Sequence, residues 1–315
     1  MTLRQIGQLV LMSALWGAVF LLIKYALVDF SPVEVAFFQA AIGAVGLFAI
    51  VLYEGGRARA MMGDILRRPL PAVLLGLLAI ATPFILISVG EISVPSGLAG
   101  VLLSSTPMFV AVFALRFDRS AEINRVQAVG LIVGLVGVAL VVGLQSVSSV
   151  SQLLGVLVIL GAAASGAISS FVVKLQYRDK NVPPSTTTLF SLGVGAMLVA
   201  PFAAFAASGD PPGARAIIAV IVLGLFCTAL TFMLYYQLIA EVGEERAALG
   251  NYLTPIFALF YGVILLSEPL TIAAILGLAL IIVGAEITLR GDSANRRAGA
   301  KAIAHEYRSH PPFHT

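Results

Sequence analysis

The sequence predicts an all-α polytopic membrane protein with ten transmembrane helices arranged as two inverted five-helix repeats. Three observations predict it: a composition too apolar for water, ten apolar runs of bilayer-spanning length, and a motif that returns roughly 148 positions later. Of 315 residues, 59% are hydrophobic and 11% are charged, with a mean hydropathy of +1.01. A soluble domain carries about 25% charged residues because its surface must be wetted. The formal charge of +3 sits in short loops between apolar runs and makes no continuous basic patch, which argues against nucleic acid. Cys227 is the single cysteine, so an internal disulfide is excluded, and the three histidines, His305, His310 and His314, all lie in the C-terminal tail.

A helix needs about 20 mostly apolar residues to cross the hydrocarbon core. Ten runs meet that length: 6–28, 32–53, 70–89, 97–115, 126–144, 153–175, 184–206, 214–239, 246–266 and 270–289. The first could pass for a secretion signal, but it is long enough to span, contains Lys24 and is followed by many similar runs. Turn-forming and charged residues separate the runs, among them Asp29, Ser31 and Pro32, then Glu91 and Pro95, then Ser267, Glu268 and Pro269. Lys and Arg stay on the cytoplasmic side of short loops, which tests the count independently. With the N-terminus inside, 17 of the 19 basic residues fall on that side. Arg215 falls outside, and Lys24 lies at the outer end of span 1, from where its stem can reach the headgroups. Both termini are expected in the cytoplasm, and residues 291–315 form a flexible, polar tail.

The stretch GLAGVLLSSTPMFVAVFAL at 97–115 is similar to ERAALGNYLTPIFALFYGV at 245–263. Thr106, Pro107 and Phe109 correspond to Thr254, Pro255 and Phe257, while Lys24 and Lys174, and Gly130 and Gly137 with Gly277 and Gly284, keep nearly the same offset. Residues 1–145 thus read as a first five-helix repeat, 146–152 as a linker and 153–290 as a second repeat. Because five is odd, the second enters the membrane from the opposite side.

In these features the chain resembles the drug/metabolite transporter superfamily, specifically its EamA-family permeases. The resemblance covers about residues 6–290 and rests on LWGAVFLLIKYAL at 15–27, the proline-centred spans 4 and 9, Glu268 with Pro269, and the glycine-spaced spans 5 and 10. Gln39 departs from it where an arginine often stands, as do Asp118 and Arg119 where a Gly-Glu pair is expected. The resemblance implies a transporter, an efflux permease for a small organic metabolite, in the bacterial inner (cell) membrane. It also implies a central cavity lined by spans 1, 3, 4, 6, 8 and 9, with spans 5 and 10 peripheral and available for a homodimer contact.

Residues in those spans supply candidates for binding a solute. Ser13, Trp16 and Phe20 share one face of span 1; Trp16, the only tryptophan, offers a flat apolar ring and one donor. Thr82 precedes Pro83 in span 3, Ser104 and Ser105 precede Pro107, and Asn251 and Tyr252 precede Pro255; such breaks free backbone carbonyls, which membranes tolerate beside a cavity. Thr228, Thr231 and Tyr235 share a face of span 8, and Ser169 stands in span 6. The competing readings are structural: Trp16 as an interfacial anchor, the prolines as packing kinks, and small residues such as Ser165 and Gly166 as helix spacers. Asn251 is the strongest polar candidate, as a mid-membrane amide that needs a partner.

No Asp, Glu or His lies near the middle of a span. This predicts a neutral or zwitterionic solute, moved down its gradient or coupled through an edge carboxylate, Glu91 or Glu34, which otherwise read as solvated caps. The spans hold no nucleophile with its base, no carboxylate pair and no His/acid metal set. An enzyme is therefore not expected, nor any cofactor or metal. The alternative is a non-transporting membrane receptor or structural membrane protein, although loops this short leave little outside the lipid to meet a partner.

Overall fold

The computed structural model describes residues 1–54, 69–117, 124–144, 149–177, 184–207, 211–288 and 290. Asp118 and Arg119, half of the 146–152 linker, the side chain of Lys174 and the 291–315 tail lie outside the described residues, as do most of the basic loops. Among the described residues the chain is all-helical, with seven helices long and apolar enough to cross a membrane and three shorter apolar ones. In chain order they are α1 Leu3–Ala26, α2 Pro32–Leu52, α3 Leu70–Gly90, α4 Ser96–Ala114, α5 Arg125–Val141, α6 Val150–Val173, α7 Ser185–Ala206, α8 Ala214–Val242, α9 Gly250–Leu266 and α10 Ile272–Thr288. Apolar side chains point outward from the bundle, with Phe205 92% and Met197 70% exposed, an arrangement that suits lipid and not water.

Span 9 differs from its expected range of 246–266. The chain makes a separate turn of helix at Glu244–Ala247 and restarts at Gly250, leaving 17 residues, the lower limit for crossing. Its C-terminal end closes with Ser267 in left-handed φ 55°, and the N–H groups of Ser267 and Glu268 both donate to Gly262 O, that of Glu268 at 3.0 Å. Pro269 then prevents the helix from continuing.

Cross-helix contacts give the relative directions. Ser13 meets Gly250, while Gly17 meets Thr254, Phe257 and Ala258, so α1 and α9 run the same way. Ser165 bonds Leu78 and Gly155 meets Gly90, so α3 and α6 run oppositely. Gly130 meets Gly284 and Thr288 while Gly137 meets Gly277 and Ile281, so α5 and α10 also run oppositely. The glycines of α5 and α10 therefore face each other within one chain.

We call the end of the bundle where α1 begins the near end and the other the far end. At the far end Lys24 donates to the Glu91 backbone carbonyl, and Asp29 accepts from the Gly213 N–H at 3.0 Å. The Arg215 guanidinium lies 3.9 Å over the Tyr25 ring. Lys24 is thus turned into the protein and not toward headgroups. The far half of α4, Ser96–Leu103, packs on α1, α6 and α9, whereas its near half, which continues as helix from Thr106 to Phe117, packs on α5 and α6. The near half of α8, Thr231–Val242, packs instead on α1 and on the Glu244–Ala247 turn.

Candidate functional site

Four helices depart from regular geometry, and in α4 and α8 side-chain hydroxyls take up the backbone groups concerned. Pro107 has no N–H to give Leu103 O, and the Thr106 hydroxyl donates to that carbonyl instead, at 2.7 Å. Ser104 and Ser105 donate to Val101 O and Leu102 O, both at 2.6 Å, across the break in α4. In α9 the helix runs unbroken through Pro255, and the Thr254 hydroxyl bonds Gly250 O at 3.0 Å. The interruption lies before Gly250, so the two proline spans break at different places. Both α3 and α8 contain a wide π turn, at Gly76–Ala81 and Leu225–Leu230. In α8 the Thr228 and Thr231 hydroxyls reach carbonyls five residues back, Leu223 at 2.9 Å and Phe226 at 2.8 Å, closing the widened turn. Single π turns of this kind recur at functional sites.

The predicted residues divide accordingly. Ser13, Phe20, Ser105, Ser169, Thr228 and Thr231 are buried. Their hydroxyls are spent on backbone carbonyls, with Ser169 on Gly166 O at 2.7 Å, and Phe20 belongs to the main apolar core. Ser104 is half-buried and Thr82 stands beside the π turn. Asn251 is exposed on the first turn of α9, next to Gly250, which meets Met12 and Ser13 about midway along α1. Tyr252 donates to Glu286 Oε2 at 3.2 Å, and Glu286 also holds Arg290 at 2.7 Å.

Trp16 and Tyr235 do come together. Their rings lie 5.4 Å apart, and Trp16 stands edge-on to Phe232 at 6.1 Å. Tyr236 stacks on Phe232 at 6.1 Å and hydrogen-bonds Thr188 of α7. The four rings are partly exposed, giving a half-open aromatic wall between α1, α7 and α8. Two apolar grooves lie elsewhere: one of about 500 Å³ between α9 and α10, walled by Ile256, Phe260 and Leu270, and one of about 330 Å³ between α2 and α7. Having almost no polar lining, they fit acyl chains better than a polar solute.

The EamA-like transporter family profile matches residues 4–143 and again 153–290. The chain belongs to this family. Among relatives of this EamA-like protein, an uncharacterized transporter of Archaeoglobus fulgidus is 28% identical over 283 residues, 90% of this chain and 97% of that one. Bacillus subtilis YoaV, also described as an uncharacterized transporter, is 26% identical over 86% of this chain and 92% of its own. The uncharacterized inner membrane transporter YedA of Escherichia coli is 26% identical over 88% and 87%. A solved crystal structure shares the fold, with TM-score 0.63 and 20% identity over 91% of this chain and 98% of that one. The EamA-like chain is thus an integral membrane protein of a transporter family.

Sequence reasoning missed Phe232 and Thr188 as parts of the aromatic wall. Phe232, Tyr235 and Tyr236 fall at i, i+3 and i+4, a signal that was present. It also missed that the buried Gln39, noted only as a departure, donates to the Thr228 hydroxyl at 3.4 Å. Ser13 supplies a check on the division between wall and scaffold. Its hydroxyl donates to Leu9 O at 2.7 Å and to Gly250 O at 3.1 Å, joining α1 to α9. Ser13→Ala is expected to lower unfolding stability by about 1 kcal/mol while leaving transport within about twofold. A large transport loss at unchanged thermal stability would return Ser13 to the site.

Proposed function

We propose that this protein exports a small neutral or zwitterionic solute, amino-acid-like or drug-like, by alternating access between two inverted five-helix repeats, residues 1–145 and 153–290. The observation that carries this reading is that helix contacts come in matched pairs. Gly43 and Gly46 of α2 pack on the π turn of α8, and Gly195 of α7 packs on the π turn of α3. Likewise α1 packs on α9 as α6 packs on α4, and α5 packs on α10. Exchanging the halves maps each contact onto its partner, so the mirror-related conformation uses the same kinds of contacts and has a similar energy. The relative directions of α1, α3, α5, α6, α9 and α10 agree with ten alternating crossings.

In this reading the near end is cytoplasmic, as the charge segregation predicts. The near halves of α4 and α8 pack on different partners and flank a crevice that the far-end contacts close. Trp16, Phe232, Tyr235 and Tyr236 form its apolar wall, Asn251 and Tyr252 stand beside it on the first turn of α9, and Thr82, Ser104, Ser105, Ser169, Thr228 and Thr231 line or support its depth. Purified protein in liposomes, offered labelled amino acids, sugars and drug-like cations with and without a pH gradient, is expected to move at least one class saturably. Transport of none, or termini found on opposite faces by protease or thiol labelling, would sink the reading.

A further inference from the structure

Resting on that transporter reading, we propose that Glu91 is a proton-binding site governing the far end: its neutral carboxyl holds that end shut, and its ionisation lets it open. Glu91 caps the end of α3, is 0% exposed, and neither carboxylate oxygen has a hydrogen-bond partner. One turn earlier, Ser88 Oγ is also buried without a partner, so unsatisfied oxygens from two residues share one face of α3. This is not the solvated cap that the sequence suggested. The other edge carboxylate, Glu34, is a cap: it accepts from the Ser31 N–H at 2.8 Å, and Ser31 Oγ accepts from the Glu34 N–H at 3.3 Å.

The charged neighbours are few. From α1 the Lys24 ammonium reaches Glu91, but it donates to the backbone carbonyl and leaves the carboxylate oxygens without a donor. The Glu268 carboxylate is committed to α4, accepting from Ser96 N at 2.6 Å, Ser96 Oγ at 3.1 Å and Gly97 N at 3.0 Å. Arg215 is stacked on Tyr25, Glu34 is spent on Ser31, and the far half of α4, Ser96–Leu103, and residues 150–173 of α6 contain no titratable side chain. Burial without a donor disfavours the ionised carboxylate more than the nearby Lys24 charge favours it, so the closed end favours the neutral form. A metal cation would meet like charge from Lys24; the proton is the occupant that fits. Opening parts Glu268 from α4 and admits water to Glu91, which then ionises and gives its proton to the far-side solution. Closing takes the proton back. By linkage, the closed form binds more protons than the open form, so raising the pH favours opening.

The test is hydrogen exchange of the Ser96 and Gly97 amides in the full-length protein in nanodiscs, without added solute. Between about pH 5.5 and 8.5 the wild type is expected to lose about tenfold or more in protection relative to the intrinsic exchange rate. Glu91→Gln should keep the low-pH protection throughout. In the wild type, a protonated-carboxyl infrared band should vanish in step with the loss of protection, a readout that does not depend on the variant folding. Equal pH profiles for wild type and Glu91→Gln, a flat wild-type profile, no such band, or a step that follows sodium concentration instead of pH would each overturn the assignment. Solute transport with a flat profile would sink this inference alone, whereas a pH step without transport of any solute would sink the transporter reading and leave the proton site standing.

Discussion

Glu268→Ala is expected to shift the far end toward its open form by about a hundredfold. The first two N–H groups of α4, on Ser96 and Gly97, have no partner within their own helix, and Pro95 at the cap position offers no side-chain acceptor. Glu268 supplies it from the other half of the chain through three bonds of 2.6–3.1 Å. A carboxylate at a helix N-terminus also opposes the positive end of the dipole. Hydrogen bonds to a charged group contribute about 1.5–3 kcal/mol each in buried settings. For a half-buried carboxylate, about 3 kcal/mol in total is a fair sum, and this corresponds to about two powers of ten. A clasp between the halves acts on the open–closed equilibrium more than on folding. The measurement is thiol labelling from the far side, in a Cys227→Ser background with a single cysteine replacing the buried Leu98. Faster labelling with nearly unchanged thermal unfolding is the expected pattern, and Glu268→Gln, which keeps an acceptor but loses the charge, should fall between. Labelling no faster than in the parent would mean that the clasp does not hold the gate.

Ten apolar helices were legible because the hydrocarbon thickness dictates their length and the loops between them are short. The break before α9 was not read: Gly250 and Asn251 directly follow the stop at Ala248 and Leu249, but the apolar residues on either side carried the expected span across them. The π turns were hidden for a related reason, since one extra residue in a helical turn leaves composition unchanged. Hydroxyls misled most. Ser105, Thr228 and Thr231 lie in the right spans, but in an apolar medium a hydroxyl bonds the nearest carbonyl of its own helix, and only coordinates reveal which carbonyls are free. Charges at the helix ends were located correctly but read as solvated. Lys24 and Glu91 lie 67 positions apart, and no local pattern could have joined them.

Trp16→Ala should cost the most in solute handling, about thirtyfold or more in transport efficiency, because aromatic anchors dominate recognition of partly apolar ligands. The ring has a structural duty as well: contacts with Phe232 at 6.1 Å and Tyr235 at 5.4 Å tie α1 to α8, so the alanine variant is expected to unfold at a lower temperature. Trp16→Phe separates the two roles. Phenylalanine keeps most of the contact between the helices but loses the indole N–H and about a third of the ring surface, so stability should recover while affinity stays reduced. The protein also carries its own probe, since Trp16 is the only tryptophan in the chain. Any solute entering the crevice beside this half-exposed ring must change its emission, with a saturation midpoint that tracks the transport KM. A transported solute that leaves the emission unaltered at saturating concentration would place the binding site elsewhere, and Trp16 would then be a packing residue between α1 and α8.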